Sequence, residues 1–373
     1  MNASGKRSLM EDGDTCSQDN KRAKPSSASS SRAHIPLWHG CRRVDQYERK
    51  KHIGEGVYGV VHKAKCKETG AIVALKQVRM DEEIKGGEGF PLTALRETNV
   101  LLSLEHSNLI RVHEMVVGTT LDKIYMVMDY CDHDLKQLMQ QLKASERGHF
   151  RPAEVKCLML QLLSGIAYLH HHWYIHRDLK PSNLLMTNEG ILKLCDFGMA
   201  RKYGDPLYPY TPNMVTPAYR APELILGAQL YGPAADVWSA GCIFAELVSN
   251  EVLFRAHQEA QLIKMLFSTL GSPTEKTWPG FSQLKNAKKF TWTTQKKCRL
   301  RDKLQVPPIA ITGTNYLTEN GYDLMLRMLA LNPDDRISAA DALKHPWFSE
   351  APLPTDPALL PKYSSGTKPV KYV

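Results

Sequence analysis

The sequence predicts an α+β protein of two lobes, in which a small lobe of mostly antiparallel strands with one key helix precedes a larger, mainly helical lobe. Apolar stretches typical of strands at 71–75 and 124–128 predict the small lobe. Apolar residues three and four apart across 155–167 predict a helix that buries one face, and with it the large lobe. We expect a small lobe at 47–130, a large lobe at 131–348 and a cleft between them.

Both ends of the chain are predicted to lie outside these lobes. Residues 1–40 are rich in Ser, Asp, Lys and Gly and too polar to bury a core, so we expect a disordered tail. Within it, Lys-Arg-Ala-Lys at 21–24 is either a nuclear-targeting signal or solvated charge. We expect an extended C-terminal tail at 349–373, because the prolines between 352 and 357 do not fit a helix.

Composition excludes several classes of protein. A hydrophobic content of 43% is ordinary for a soluble globular protein, and the formal charge of +9 is dispersed, so direct nucleic-acid binding is not expected. Eight cysteines form no C-x-x-C pair, which indicates a reduced, intracellular setting. No apolar run reaches 18 residues and residues 1–6 lack the apolar core of a secretory signal, so we expect no membrane association.

The first motif is a glycine-rich stretch. Its glycines are placed where a hairpin would bring backbone amides close to a phosphate, because a Cβ would block the approach. G-x-G-x-x-G also opens dinucleotide-binding units, but there it leads from a strand into a helix, whereas here strand-like residues follow. We assign nucleotide-phosphate binding to the whole stretch: Ile53, Gly54, Glu55, Gly56, Val57, Tyr58, Gly59, Val60 and Val61.

The next strand ends in Val-Ala-Leu-Lys. A period of two puts Ala74 and Lys76 on one face, where the small residue admits a flat base and the ammonium reaches phosphates. A lysine that ends a strand is usually solvated, so this role requires an acidic partner. Glu97 is the candidate, because it shares a helix face with Leu101 and Leu104 and a carboxylate there needs a cation.

Two motifs in the large lobe complete the chemistry. Residues 175–184 contain H-R-D-x-x-x-x-N, in which Asp178, Lys180 and Asn183 supply a base, positive charge and a magnesium ligand. Phosphoryl transfer requires these groups more than covalent chemistry. Asp196, in Asp-Phe-Gly after an alternating strand, is the second expected magnesium ligand. A helix end followed by a polar loop explains each residue singly but not the set.

With these motifs the chain resembles eukaryotic protein kinases from about Tyr47 to Phe348, and residues 91–97 resemble the cyclin-contacting helix of cyclin-dependent kinases. Strings at 41–44 and 278–281 resemble the branch of cyclin-dependent kinases ten and eleven. The resemblance implies an ATP- and Mg²⁺-dependent serine/threonine kinase, activated by a cyclin subunit and acting in cell-cycle, transcription or RNA-processing control. It also implies a nuclear location, with the cytoplasm as a further possibility.

The resemblance implies a role for each matching residue. Asp178 would accept the proton of the substrate hydroxyl, Lys180 would contact the transferred phosphate, and Thr216 would complete the catalytic set. Asn183 and Asp196 would hold Mg²⁺.

The implied ATP pocket lies between the lobes. Lys76 would bind the nucleotide, with Glu97 beside it. Asp129 and Cys131 would give backbone hydrogen bonds to adenine, and Met128 would close the back of the pocket. The base would lie between four apolar residues, for which plain core packing is the alternative: Ile53, Val61, Ala74 and Leu185.

The same comparison implies two regulatory sites. Thr211 stands where such kinases are phosphorylated, and Tyr58 is the candidate inhibitory site. A phosphate adds about −1.5 to −2 charge and several acceptor oxygens, enough to order a loop beside cations. Three arginines from separate segments would bind it: Arg96, Arg177 and Arg201.

Departures from the family pattern affect the substrate side. Pro217 and Ala218 stand where leucine and tryptophan are usual, and residues 290–312 match poorly. Val215 and Arg220 are kept, and in the family these positions form the pocket for a proline after the target residue, so we expect substrates with Ser/Thr-Pro sites. We also expect Ala-Pro-Glu downstream to contribute a structural ion pair between Glu223 and Arg336.

Two other functions stay open. A pseudokinase that serves as a cyclin-binding scaffold is the main alternative, because of Pro217 and Ala218. It would be expected to lack at least one of four residues that are all present: Lys76, Asp178, Asn183 and Asp196. The third possibility is a basic binding module that uses the tail at 1–40, which salt-sensitive nucleic-acid binding would indicate.

Overall fold

A computed structural model describes residues 41–56, 59–78, 98, 100–119, 123–203, 217–228, 232–256, 258–304 and 317–362, with the backbone alone at 55 and 56. These residues belong to one compact unit that begins at Cys41. The expected disordered tail at 1–40 lies outside them. Within these ranges, no helix combines the length and the apolar character that a membrane span requires.

The small lobe is a five-stranded sheet in the order β1-β2-β3-β5-β4, with all pairs antiparallel. This confirms the predicted antiparallel lobe. Helical residues at 98 and 100–103 are the described end of the predicted helix. The strands are β1 (Tyr47–Gly56), β2 (Gly59–Cys66), β3 (Ile72–Val78), β4 (Val112–Val117) and β5 (Ile124–Asp129).

Strand β3 is buried on both faces, which explains why its sequence is a continuous apolar run. Val73 and Leu75 belong to an apolar cluster on one face of the sheet, together with Tyr125. Ala74 belongs to the larger cluster that continues into the large lobe. Because side chains alternate along a strand, Lys76 shares the face of Ala74 and is directed toward the large lobe.

The large lobe is mainly helical, as predicted. Its long central helix, α4, is apolar on nearly every side and buried from Ala235 to Val248, so the other helices pack around it. The helices are α1 (Leu135–Ala144), α2 (Pro152–His171), α3 (Pro222–Ile225), α4 (Ala234–Ser249), α5 (Glu259–Leu270), α6 (Leu300–Leu304), α7 (Glu319–Met328) and α8 (Ala339–Ala342).

Short strands in the large lobe position the loops between them. Strands β6 (His133–Asp134), β8 (Leu184–Met186) and β9 (Leu192–Leu194) form a three-stranded sheet. Strands β7 (Tyr174–Ile175) and β10 (Arg201–Lys202) form a separate pair. The catalytic motif therefore lies between β7 and β8, and the Asp-Phe-Gly motif lies between β9 and β10.

Residues 350–357 lie against the large lobe. The Lys156 ammonium of α2 donates to the Glu350 carbonyl at 2.8 Å, and the Thr355 amide donates to the Ala153 carbonyl at 3.0 Å. In the turn between β8 and β9, Gly190 has a φ of +80°, and a Cβ there would overlap the Pro357 carbonyl. The segment therefore follows α2 and reaches the β8–β9 turn.

Candidate active site

The Asp236 carboxylate in α4 holds the start of the catalytic loop. Its Oδ2 accepts from the His176 amide at 2.8 Å and from His170 Nε2 at 3.0 Å, and its Oδ1 accepts from the Arg177 amide at 2.8 Å. Burial alone would raise the pKa of Asp236, but the hydrogen bonds from His170 and the Arg177 amide lower it below its ordinary value. Asp236 is therefore an ionised anchor for the loop.

These bonds hold a residue in an unfavourable conformation. Arg177 has a φ of +73°, which is uncommon for a residue with a Cβ, and Asp236 fixes its amide. The Arg177 guanidinium donates to the Met199 carbonyl at 3.1 Å, just beyond Asp-Phe-Gly. The two motifs are therefore connected directly.

The two carboxylate oxygens of Asp178 differ in their surroundings. Oδ2 accepts from the Lys180 ammonium at 2.7 Å and from Asn183 Nδ2 at 3.0 Å. Asn183 Nδ2 also donates to the Asp178 carbonyl at 2.7 Å. Oδ1 is buried and has no hydrogen-bond partner among the described residues. This arrangement fixes the carboxyl group through one oxygen and leaves the other able to accept from a substrate hydroxyl.

His176 connects the catalytic loop to the strand before Asp-Phe-Gly. Nε2 of its fully buried ring donates to the Cys195 carbonyl at 2.9 Å, and Nδ1 accepts from the Asp178 amide at 3.3 Å. Burial lowers the pKa of His176, in agreement with a neutral ring that donates from one nitrogen and accepts at the other. Sequence reasoning gave this residue no role, although its place in the H-R-D motif was the available signal.

The two expected magnesium ligands are brought together by their backbones. The Cys195 amide donates to the Asn183 carbonyl at 3.0 Å, which places the start of Asp-Phe-Gly beside the catalytic loop. Asp196 follows with a φ of +64°, a second strained position. In the described part of the chain, no group of three or more His, Cys, Asp and Glu side chains could hold a metal. One carboxylate and one amide nevertheless fit Mg²⁺, which takes its other ligands from substrate phosphates and water.

The predicted nucleotide residues lie on the inner face of the small lobe. Ala74 is opposite Met128 across the sheet, and Val61 is opposite Lys76. Lys76 is only 4% exposed, which is unusual for a lysine and unlike the solvated strand end that was the alternative. The apolar members all belong to the larger cluster, as a nucleotide pocket or a plain core would require: Ile53, Val61, Ala74, Met128, Cys131 and Leu185.

The segment that joins the lobes at Asp129, here called the hinge, carries a charged contact that sequence reasoning missed. The Asp129 carboxylate contacts His113 Nε2 at 3.0 Å and the Lys193 ammonium at 2.9 Å. Burial would raise the pKa of Asp129, but these hydrogen bonds lower it to about 2. The Asp129 amide donates to the Arg111 carbonyl at 3.0 Å, and the predicted backbone hydrogen bond from Asp129 to adenine stays a prediction.

Lys193 makes further contacts. Its ammonium also donates to the Ser107 and Leu109 carbonyls, at 3.1 and 3.4 Å. One side chain on β9 therefore joins the hinge at Asp129 to the loop before β4. The alternation of β9 was the signal, since it directs Lys193 away from Leu192 and Leu194.

Residues 217–220, on the predicted substrate side, pack against the large lobe. Ala218 is buried, and the Tyr219 hydroxyl donates to Glu246 at 2.6 Å. Arg220 contacts Glu259 at 2.5 Å, so this guanidinium is tied to the start of α5. The predicted pair of Glu223 and Arg336 is confirmed: it is buried and bidentate, with distances of 2.9 and 3.0 Å.

Of the three arginines predicted to bind a phosphate, the structure describes Arg177 and Arg201. The pairing of β7 with β10 puts Arg201 opposite Ile175, two residues before Arg177. Several other predicted residues lie outside the described part of the chain: Val57, Tyr58, Arg96, Glu97, Thr211, Val215 and Thr216. Of Glu55 and Gly56 only the backbone is described, in β1, and Gly54, Gly59 and Val60 lie on the β1–β2 hairpin. The roles of these residues stay predictions.

Comparison with known proteins agrees with this arrangement. A family model for the protein kinase domain matches residues 47–348. Cyclin-dependent kinase G-2 of Oryza sativa subsp. indica is 50% identical over 329 residues, which are 88% of this chain and 45% of that protein. Cyclin-dependent kinase 11A of Homo sapiens is 48% identical over 330 residues, 88% of this chain and 40% of that protein. Cyclin-dependent kinase 11 of Dictyostelium discoideum is 46% identical over 328 residues, 88% of this chain and 87% of that protein.

The chain spans less than half of the length of the rice and human relatives, at 45% and 40%. It spans 87% of the Dictyostelium relative, so the similarity there extends over most of both proteins. The predicted resemblance to cyclin-dependent kinases is confirmed. The chain belongs to the protein kinases, and within them to the family of cyclin-dependent kinases.

Proposed function

We propose that this protein is a cyclin-activated kinase that transfers phosphate from Mg²⁺-bound ATP to serine or threonine before proline in protein substrates. The observation that carries the proposal is the geometry of Asp178. Lys180 and Asn183 fix one of its oxygens, at 2.7 and 3.0 Å, and the other is buried without a described partner. A carboxylate held in this way is suited to accept the proton of a substrate hydroxyl.

The other residues supply charge and position. Lys180 would lie against the transferred phosphoryl group, and Lys76 would bind the phosphates of ATP from the small lobe. Asn183 and Asp196 would hold Mg²⁺, which neutralises phosphate charge when bound. Asp178 would hydrogen-bond the hydroxyl, orient its oxygen toward the γ-phosphorus and take its proton as the new P–O bond forms and the bond to ADP breaks.

The cyclin partner and the setting belong to the same proposal. The relatives are named as cyclin-dependent kinases, and residues 91–97 resemble the helix that a cyclin contacts. We propose that a cyclin positions this helix, that phosphorylation of Thr211 stabilises the active form, and that the kinase acts in the nucleus in cell-cycle or RNA-processing control. Proline preference rests on Val215 and Arg220.

A cyclin-binding pseudokinase scaffold is disfavoured. The four residues that such a protein would be expected to lose are present, and two of them, Asp178 and Asn183, are bonded to each other in the catalytic loop. The change at Pro217 and Ala218 that motivated this alternative lies on the substrate side, where Ala218 is buried against the large lobe.

The test is phosphate transfer by the cyclin-bound protein recovered from cells. Ser-Pro and Ser-Ala peptides are compared, with and without Mg²⁺, and Asp178→Asn is the matched variant because it removes the base without changing the size of the side chain. We expect transfer to the Ser-Pro peptide that requires Mg²⁺ and falls about 10²–10⁴-fold in the variant. No transfer by a cyclin-bound, Thr211-phosphorylated sample would contradict the proposal, and equal transfer to Ser-Ala would contradict its proline preference.

A further inference from the structure

One segment of the large lobe concentrates positive charge, contrary to the dispersed charge expected from the sequence. Residues 285–303 contain eight Lys or Arg residues and one acid, Asp302, in a chain whose total formal charge is +9. Arg301 is paired with Glu319 at 2.7 Å, and the half-buried Lys303 lies over the Phe254 ring. The other six, which we call the basic surface, are exposed and form no ion pair with a described residue: Lys285, Lys288, Lys289, Lys296, Lys297 and Arg299.

The basic surface is carried by a backbone that the large lobe fixes. The Asn286 amide donates to the Leu226 carbonyl at 2.9 Å, and its side-chain amide donates to the Ile225 carbonyl at 3.2 Å. Farther along, the Arg299 amide donates to the Thr269 carbonyl at 2.6 Å. The cations are therefore presented from fixed positions, which lowers the entropic cost of binding a partner.

The basic surface is connected to the substrate side. Ile225 ends α3, the helix that follows the short turn Pro217–Tyr219. Arg220 joins this turn to α5 through Glu259, and α5 is the helix whose end bonds the backbone of Arg299. The backbone that carries the basic surface is therefore bonded to the elements that follow the turn on the substrate side.

We propose that the basic surface binds a phosphorylated segment of a protein substrate, away from the residue that the kinase modifies. Exposed cations in fixed positions match several phosphates, each of which carries about two charges at neutral pH. The exposed hydroxyls of Thr291, Thr293 and Thr294 lie between the two groups of cations in the sequence and can donate to phosphate oxygens. This proposal rests on the proposed function, because it assumes protein substrates.

The aromatic residues favour a protein segment over a nucleic acid. Single-stranded nucleic acids bind where bases stack on exposed aromatic rings. Here Phe290 and Trp292 are only half exposed, and the Trp292 ring packs edge to face on Phe267 with 4.8 Å between ring centroids. The rings in this segment therefore contribute to the core of the lobe.

The test compares two triple variants of the full chain in complex with its cyclin. Lys285→Ser/Lys288→Ser/Lys289→Ser removes half of the basic surface, and Lys65→Ser/Lys67→Ser/Lys123→Ser removes the same charge from exposed lysines of the small lobe. The probe is a Ser-Pro peptide with several phosphoserines on one side of the target, beside matched peptides with Ser or Glu at those positions. Binding is measured by fluorescence anisotropy with Asp178→Asn added to each protein, and KM and kcat are measured without it.

We expect the first variant to bind the phosphopeptide about tenfold more weakly and to raise its KM by a similar factor, with kcat unchanged and the small-lobe variant near wild type. Raising the salt from about 0.05 to about 0.3 M should remove most of the advantage of the wild type. Equal losses in both variants, or no loss in either, would overturn the proposal. So would a Glu peptide that binds as tightly as the phosphopeptide, or a single-stranded oligonucleotide that binds more tightly.

Failure of this proposal is distinguishable from failure of the proposed function. Transfer to the peptide with unmodified Ser reports the kinase activity alone. Activity on that peptide with no loss in the first variant would remove the basic surface from consideration and leave the kinase assignment intact.

Discussion

At the scale of single residues, the position of Asp178 depends on hydrogen bonds within the catalytic loop and on the Asp236 carboxylate of α4. Asp236 fixes the amides of His176 and Arg177, both at 2.8 Å, and His176 in turn accepts from the Asp178 amide. Asn183 has two tasks, since it bonds Asp178 and is also an expected magnesium ligand. Any change at these positions would therefore alter the base as well as the residue replaced.

The buried histidine predicts a pH dependence of stability. The pKa of His176 is lowered from its ordinary 6.5 by burial, so the unfolded chain binds this proton more readily than the folded one. The contribution of the neutral His176 to the free energy of unfolding should be fully present above pH 6.5 and should decline as the pH falls below this value. Each such group contributes up to about 1.4 kcal/mol per pH unit.

Chemical denaturation between about pH 5 and 8 would measure this slope in the wild type and in His176→Asn. We expect a shallower slope in the variant, whose side chain does not titrate. His171→Asn, at an exposed position at the end of α2, controls for the loss of one histidine and should keep the wild-type slope. Equal slopes in all three proteins would exclude the proposed linkage.

At the scale of elements, strand β9 connects the lobes. It leads into Asp196, and its Lys193 reaches the hinge carboxylate of Asp129 at 2.9 Å and the Ser107 carbonyl at 3.1 Å. The position of the hinge is therefore coupled to the strand that leads into the expected metal ligand.

Replacing Lys193 tests this coupling. Lys193→Met keeps an unbranched side chain of similar length but removes the cation, which leaves the Asp129 carboxylate in contact with His113 and the Arg111 amide. We expect a loss of about 1–3 kcal/mol in the free energy of unfolding and a higher KM for ATP, because the hinge loses a fixed contact. Lys193→Arg should retain most of both values. Wild-type stability and KM for ATP in Lys193→Met would show that the contact is incidental.

Local patterns predicted the strands better than the contacts between them. Apart from Ala71, the apolar runs at 71–75 and 124–128 are observed within β3 (Ile72–Val78) and β5 (Ile124–Asp129), because such runs reflect a local preference. The partnership of Asp129 with Lys193 joins residues 64 positions apart in the chain, and no periodicity reports it. The motifs identified Asp178 and Asn183. They did not predict that Lys180 and Asn183 would donate to the same oxygen of Asp178, because this depends on the conformation of the loop.

At the scale of the whole molecule, a buried ion pair joins distant parts of the large lobe. Both terminal nitrogens of the Arg336 guanidinium donate to the Glu223 carboxylate. One of them also donates to the Ala234 carbonyl at 2.7 Å, at the start of α4. The Arg336 side chain has 0% exposure and that of Glu223 has 4%. Such a pair defines how α3 and α4 are arranged more than it adds net stability.

The cost of breaking this pair should far exceed that of breaking an exposed one. Glu223→Ala leaves a buried, unpaired guanidinium, and we expect a loss of about 3–5 kcal/mol in the free energy of unfolding. Glu319→Ala breaks the exposed pair with Arg301 and should cost less than about 1 kcal/mol. Urea denaturation of both variants measures the difference. Similar small losses would mean that the buried pair is dispensable for folding.

The contact between Gly190 and Pro357 has a practical consequence for anyone who shortens the chain. The segment from Glu350 to Leu360 covers part of α2 and the β8–β9 turn, and Leu360 is itself buried. Cutting at the end of the kinase match, residue 348, would uncover this surface and expose apolar side chains to self-association. Recombinant versions of this protein should therefore extend at least through Leu360, and affinity tags belong beyond that point.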